Sequence, residues 1–507
     1  MSFKKNVIAN YASQLYVTIA AIVLVPLYVK YMGVEAYGLV GFFAMMQAWF
    51  QVLDLGFTPT MTREVARYRG GAMDSSDLKK LVRAMELLFF CVGGCGAVAL
   101  ILASGGIAKQ WLKVQDLPLQ DVQLCISLMA AIIGVRFLTS LYRGVITGFE
   151  RLAWLSGFNV IVASARFIFI IPVFVLYGAG VKIFFVYQLL VAVVEIVVLF
   201  FKTYRLLPFG SDESRDFSLK PLRPILRFSR NVGLTVGIWL VVTQSDKLIL
   251  SSLLTLTDYA YFTLAVLVAN GVMVVSGPIG SVLIPRLSRL VVENDDVGVI
   301  TTYRNGTQLV GVIAIPVALV LGLFSEELLW AWTGSVDTAQ RSADVLTLYA
   351  LGNGALSFSA FPYYLQFAKG ELRLHVIGNL LLAAALVPAM VLGTIHYGVV
   401  GAGFAWAIAN LLYFIIWPWK VLRKFSSRLH VNWLLQDVFP IVAGASISAV
   451  VLKLLVVQVE VRWVQFLELM GIGLIVLLCA AMSSSFARKK IMDVIKKSSR
   501  HPSGWNC

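Results

Sequence analysis

The sequence predicts an all-α polytopic membrane protein of about fourteen transmembrane helices: two pseudo-symmetric six-helix lobes, two C-terminal helices and both termini in the cytoplasm. Three observations carry this expectation. The 507 residues are 59% hydrophobic and only 14% charged, with a mean hydropathy of +0.83, whereas soluble domains hold about 25% charged residues. Apolar runs of roughly 20 residues, the length that crosses about 30 Å of hydrocarbon, recur along the whole chain. Lysine and arginine fall almost entirely on alternate connections, as the positive-inside rule requires.

The fourteen runs lie at approximately 7–29, 37–57, 81–104, 122–145, 156–176, 182–201, 230–252, 259–282, 305–324, 344–366, 374–395, 399–419, 435–457 and 463–485. With the N-terminus inside, and span edges counted with the adjoining side, the cytoplasmic segments hold 32 Lys/Arg and the opposite ones 6; 4 more lie within spans. The formal net charge of +15 therefore reports orientation on an anionic leaflet rather than affinity for nucleic acid. Met1 to Lys5 followed by an apolar run imitates a signal peptide. The uncharged stretch from Asn6 to Val29 is too long for one and shows no small-residue cleavage site, which predicts a retained first span.

A repeat divides the chain. Pro59-Thr60-Met61-Thr62-Arg63 and Pro285-Arg286-Leu287-Ser288-Arg289 both fit P-x-x-[ST]-R. Glu35-Ala36-Tyr37-Gly38 answers Thr257-Asp258-Tyr259-Ala260, Gly148-Phe149-Glu150-Arg151-Leu152 answers Gly370-Glu371-Leu372-Arg373-Leu374, and Tyr177-Gly178 answers Tyr397-Gly398. Four matches in the same order at offsets of 220 to 226 residues predict an N-lobe over 1–201, a cytoplasmic linker over 202–229 and a C-lobe over 230–420. Two added spans over 421–485 and a basic cytoplasmic tail over 486–507 complete the chain. An even number of spans per lobe relates the lobes by an axis along the membrane normal, the arrangement in which transporters bind substrate between halves.

The same composition removes several function classes. Cys91, Cys95, Cys125, Cys479 and Cys507 form no CxxC pair, so neither a disulfide framework nor a zinc site is expected. Cys91 and Cys95 read as small packing residues. His375, His396, His430 and His501 are scattered singly, and no GxxxxGK[ST] loop is present. The longest outer connections, near 105–121 and 325–343, are too short for a catalytic domain, which disfavours a membrane polymerase or glycosyltransferase. No cofactor is expected.

A charge held within a span costs about 2.5 to 3.5 kcal/mol on insertion scales, so its default meaning is functional. Asp54, Glu86, Arg136, Arg166, Glu195, Asp246, Lys247 and Lys453 qualify, five of them in the first lobe and two in span seven. Helical spacing groups polar residues into faces: Gln47, Gln51 and Asp54; Arg136, Thr139, Ser140 and Arg143; Asn159 and Arg166; Asn231, Thr235, Trp239, Thr243 and Asp246. Such faces would be unstable against lipid and predict a water-filled interior. Prolines within spans, at Pro26, Pro172, Pro278, Pro316 and Pro388, can kink helices, and Pro26 and Pro278 are the candidate bending points.

Asn10-Tyr11-Ala12-Ser13-Gln14, Pro26-Leu27-Tyr28 and Gly33-Val34-Glu35-Ala36-Tyr37-Gly38-Leu39 resemble the amino-terminal signature of the polysaccharide biosynthesis, or Wzx-type O-antigen flippase, branch of the multidrug/oligosaccharidyl-lipid/polysaccharide exporter superfamily. Gln244-Ser245-Asp246-Lys247, the Pro-x-x-Ser-Arg close of span eight and Tyr397-Gly398-Val399-Val400-Gly401-Ala402 are similar too. The resemblance implies a non-enzymatic flippase of the bacterial inner membrane. Such a flippase moves an undecaprenyl-diphosphate-linked oligosaccharide from the cytoplasmic to the periplasmic leaflet, beside membrane lipid and with polysaccharide polymerase and chain-length machinery as partners. Fourteen spans fit the lipid-flipping branches; a drug or metabolite antiporter of the same superfamily is the alternative.

A diphosphate suits guanidinium groups, which hold phosphate oxygens bidentately. Arg136, Arg166 and Lys247, with Lys30 at the outer rim, are thus the candidate head-group contacts. The structural alternative pairs Arg136 or Arg166 with Glu86 or Glu195, and Lys247 with Asp246. Without a nucleotide site the energy source would be a proton or sodium ion, and Asp54, Glu86, Glu195 and Asp246 are the candidate carriers. Asp54 also has a capping alternative, because Gly56 and Pro59 follow it.

Overall fold

The computed structural model describes residues 3–208, 222–274, 276–425, 429–456, 460–490 and 492. Much of the 202–229 connector and most of the basic tail, together with the side chains of Asn231 and Thr235, lie outside the described residues. The described chain is helical throughout; an isolated bridge between Lys113 and Thr255 is its one extended pairing. Eleven helical stretches are long and apolar enough to cross a membrane. One of them, Arg373–Lys424, is double-length and breaks at Gly398, where the backbone reaches φ +60°. The chain forms two compact units, Met1–Ala260 and Tyr261–Cys507.

The first unit runs α1 (Phe3–Val23), α2 (Val25–Met32), α3 (Val34–Phe50), α4 (Phe57–Arg69), α5 (Ser75–Gly106), α6 (Leu119–Gly148), α7 (Leu152–Ala163), α8 (Ile170–Tyr177), α9 (Val181–Leu206) and α10 (Leu222–Leu253). Its breaks follow local chemistry. The first span is interrupted at Leu24, just ahead of Pro26, whose ring removes a backbone donor and presets the start of α2. Span two stops at Phe50, passes through a 3-10 turn over Gln51–Asp54, and reverses through Leu55 (φ +45°) and Gly56 (φ +79°) into α4, which ends on Arg67 and Arg69. α5 and α6 approach closely at Gly93, Ala97 and Gly134, where a methyl group on either glycine would press on the opposite helix. Cys91 and Cys95 are exposed rather than packed, because Gly93 and Ala97 carry that contact instead. Phe137 of α6 stacks on Phe89 at 4.9 Å and meets Phe50 edge-on at 5.5 Å, tying α3, α5 and α6 together. α10 packs on α3 and α4 of this unit.

α11 (Leu256–Ala269) leads into the second unit, with α12 (Gly271–Val274), α13 (Ser276–Val292), α14 (Asp296–Leu323), α15 (Ser325–Thr333), α16 (Val336–Ala368), α17 (Arg373–Phe425), α18 (Leu429–Trp433), α19 (Phe439–Leu455) and α20 (Arg462–Ser483). Its core gathers Tyr303, Phe358, Phe361, Phe414 and Trp433. The repeat is visible in the backbone. The turn after span four takes its left-handed residue at Glu150, and the turn after span ten at Gly370. Gly178 and Gly398 do the same in the next outer turns. Large apolar side chains such as Leu102 and Leu454, each 81% exposed, point outward, as expected where the solvent is lipid.

Candidate anion site in the first unit

The site begins with a flaw in span five. Between α7 and α8 the helix widens into a π turn over Ser164–Ile168, so that Phe169 N–H bonds to Ser164 O at 3.1 Å and the carbonyls that follow lose their ordinary register. Pro172, lacking an N–H, adds to the break. Side chains restore the accounting: Tyr187 Oη donates to Ala165 O (2.7 Å), Gln188 Nε2 to Arg166 O (3.0 Å) and Tyr28 Oη to Phe167 O (2.7 Å). Tyr16 Oη and Ser164 Oγ lie 2.6 Å apart on the same turn. Arg166 is therefore presented from a held π-helical turn near the middle of its span.

Two guanidinium groups converge there on one carboxylate, and a third lies beside them. Glu195, on α9 and 2% exposed, gives one oxygen to Arg143 at 2.6 Å and the other to Arg166. Arg143 also donates to Asn159 Oδ1 at 2.5 Å. Arg136, two turns earlier on α6, pairs with neither Glu86 nor Glu195. It donates to Gln47 Oε1 (2.8 Å) and Gln188 Oε1 (3.0 Å) and lies over the Phe43 ring at 5.2 Å. Two neutral amides and a ring orient this cation without neutralising it. Among the described residues, Arg136 Nε and Arg166 Nε are buried with no protein acceptor. Arg143, Asn159 and Arg166 line a cavity of about 330 Å3 whose other wall is Asn10, Ser13 and Gln14 of α1. A cavity of this size is that of a small-ligand pocket, and its chemistry is that of an oxyanion receptor with a neutral, hydrogen-bonding opposite wall.

Arg166 and Glu195 meet as the structural alternative pairs them, and Arg136 joins them through Gln188, with Gln47 and Asn159 beside them. Thr139 and Ser140 instead turn their hydroxyls to the carbonyls of Arg136 and Phe137. The other candidates lie outside this network. Lys247 donates to Gln244 Oε1 at 3.0 Å and sits 3.8 Å from the buried Asp246. Lys30 is exposed at the end of α2. Asp54 takes its capping alternative, accepting from Thr58 N (3.1 Å) and Thr58 Oγ1 (2.8 Å) at the start of α4. Glu86 accepts from Tyr204 Oη at 2.8 Å. Lys453 pairs with Glu327 in the second unit. Two members of the network, Arg143 and Gln188, were not among the sequence-derived site residues. No cluster of three or more metal-ligating side chains occurs among the described residues.

Known proteins share this architecture. The solved lipid II flippase MurJ, in an inward closed conformation, superposes with a TM-score of 0.71 over 96% of this chain and 99% of its own, at 14% identity. An inward-facing multidrug resistance transporter of the MATE family, within the MOP superfamily, gives 0.68 over 83% and 96%, at 17% identity. By sequence the chain is similar to the "Putative O-antigen transporter" of Shigella flexneri, 23% identical over 429 residues, 84% of this chain and 99% of that one. It is also similar to the "Uncharacterized membrane protein EpsK" of Bacillus subtilis (strain 168), 24% identical over 85% of each chain. With eleven candidate membrane helices, the molecule is a multi-pass membrane protein that shares the fold of these flippase and transporter structures. Residues 3–291 match the family described as polysaccharide biosynthesis protein, and the chain belongs to that family.

Proposed function

We propose that this protein flips an undecaprenyl-diphosphate-linked oligosaccharide, the repeat unit of O-antigen or another surface polysaccharide, from the cytoplasmic to the periplasmic leaflet. The observation that carries the proposal is the excess of positive charge at the middle of the first unit. Three arginines face one carboxylate beside a cavity with a neutral polar wall. Fixed guanidinium groups at membrane depth are worth their desolvation cost where an oxyanion must pass. A site for lipophilic cationic drugs would need the opposite charge, which favours the lipid-linked anion over the antiporter alternative.

The proposal includes fourteen spans with both termini cytoplasmic, two six-helix lobes over 1–201 and 230–420 joined by the 202–229 linker, and alternating access by rocking of those lobes. Coupling to a proton or sodium ion falls in this scheme to the span carboxylates Asp54, Glu86, Glu195 and Asp246.

The test is export of surface polysaccharide by cells carrying Arg143→Gln or Arg166→Gln at normal protein levels. A fall of at least tenfold, with lipid-linked oligosaccharide accumulating on the cytoplasmic leaflet, is expected. Unimpaired export would sink the proposal.

A further inference from the structure

Three arginines and one glutamate are an odd set for a structural salt bridge, and the oddness has a consequence for which anion fits. Glu195 is buried, and each of its oxygens is committed to a different guanidinium, Arg143 and Arg166. Arg136 joins the group through Gln188, whose oxygen accepts from Arg136 while its amide nitrogen donates to Arg166 O. The charged groups facing Glu195 are thus Arg136 and Arg143 from α6 and Arg166 from the π turn. The remaining charges of α6 and α9 near their outer ends, Asp121 and Lys182, neutralise each other at 2.7 Å. One carboxylate against three guanidinium groups leaves a formal excess of two positive charges.

Resting on the proposed site, we infer that Glu195 sets its charge count, so that the site is matched to a diphosphate diester and discriminates against a phosphate diester. A diphosphate esterified at both ends carries one charge on each phosphoryl group, about two in all; a polyprenyl phosphate sugar carries one. At membrane depth an unbalanced charge is poorly solvated, so cargo and site move together most readily when they sum to zero. The cavity-facing edges of Arg143 and Arg166 supply the donors. Glu195 holds the same arginines between passages and competes with the phosphates for them, which keeps the cargo from being trapped. Glu195 acts through the arginines and is a charge-setting, positioning residue, not a contact to the cargo.

The experiment measures binding of two soluble short-chain probes, a farnesyl-diphosphate-sugar with two charges and a farnesyl-phosphate-sugar with one, to the purified full-length protein in detergent, alongside export in cells. The wild type is expected to prefer the diphosphate probe by at least about tenfold. Glu195→Gln, which raises the excess to three, should bind both probes about tenfold more tightly and export less, because release slows. Arg143→Gln, which lowers the excess to one, should lose most of the preference. The double variant Glu195→Gln/Arg143→Gln restores an excess of two and should regain both the preference and part of the export lost in either single variant. Glu195→Gln binding no tighter than wild type, or a double variant no better than the singles, would overturn the charge-setting role and leave Glu195 as a brace. Failure of the site itself looks different: the wild type binds neither probe and Arg143→Gln exports normally.

Discussion

Each unit of the molecule buries an arginine against a carboxylate, and the two networks are built to opposite rules. In the second unit Asp437, fully buried on a π turn over Leu434–Val438, takes Arg304 Nε at 2.5 Å and Nη2 at 3.0 Å and Gln308 Nε2 at 2.7 Å. Gln308 Oε1 in turn accepts from Ser484 Oγ (2.7 Å) and Phe486 N (2.9 Å). One cation meets one anion, and the amide between them passes its remaining capacity to the chain after α20. This network fastens the last two helices to α14, and Lys453 with Glu327, and Arg462 with the carbonyls of Ala331 and Trp332, fasten their other ends. In the first unit the cations outnumber the anion, two guanidinium nitrogens have no protein acceptor, and a cavity adjoins. A balanced, closed network is what a fastening needs; an unbalanced one with an open side is what a binding site needs.

The sharpest way to break this contrast is to neutralise one cation in each. Arg166→Gln should cut export per molecule by roughly tenfold to a hundredfold, from the loss of one charge-assisted phosphate contact of about 1.5–3 kcal/mol, with protein levels near normal; export normalised to immunoblot checks it. Arg304→Gln should do the reverse. It strands a buried Asp437, costing about 3 kcal/mol at the low end for a broken buried pair because Arg304 is itself partly exposed. The yield of folded protein and its Tm in detergent should fall while export per surviving molecule holds.

A paired replacement separates the two networks further. Arg304→Met with Asp437→Leu removes both charges and should return the unfolding free energy to within about 1 kcal/mol of wild type. Arg166→Met with Glu195→Leu keeps the formal excess of two and should retain part of the export that Arg166→Gln alone loses. Smaller effects lie in the supports. Tyr28→Phe removes one donor to the π turn and should cost about 1 kcal/mol in stability with a several-fold loss of export. Lys453→Gln, at a partly exposed pair, should lower stability by no more than about 1 kcal/mol and leave export unchanged.

What the sequence disclosed followed from how loudly each residue speaks in an apolar run. Arg136, Arg166 and Glu195 stand near the centres of long hydrophobic stretches, where a charge has no bland explanation, and the structure gathers them. Arg143 shares the polar face of Arg136 but sits at a span edge and counted toward the cytoplasmic total, which kept it out of the candidate head-group contacts. Gln188 is neutral and carries no insertion cost large enough to single it out, yet it joins Arg136 to the π turn. The π turn itself has no local signal, since Ser164–Ile168 contains neither glycine nor proline. Asp54 went to Thr58 because Leu55 and Gly56 reverse the chain and start a new helix there, the capping outcome that Gly56 and Pro59 foreshadowed. Arg304 and Asp437 lay at the margins of predicted spans, where charge is ordinary.

The central claim is that the unbalanced arginines of the first unit carry a diphosphate across the membrane. Its most direct test is the rate at which the purified protein, reconstituted in proteoliposomes, moves a fluorescent polyprenyl-diphosphate-linked sugar between leaflets, compared with the Arg143→Gln/Arg166→Gln double variant reconstituted at equal density. Movement by the wild type and a loss of at least about tenfold in the variant is the expected result. Equal rates would contradict it.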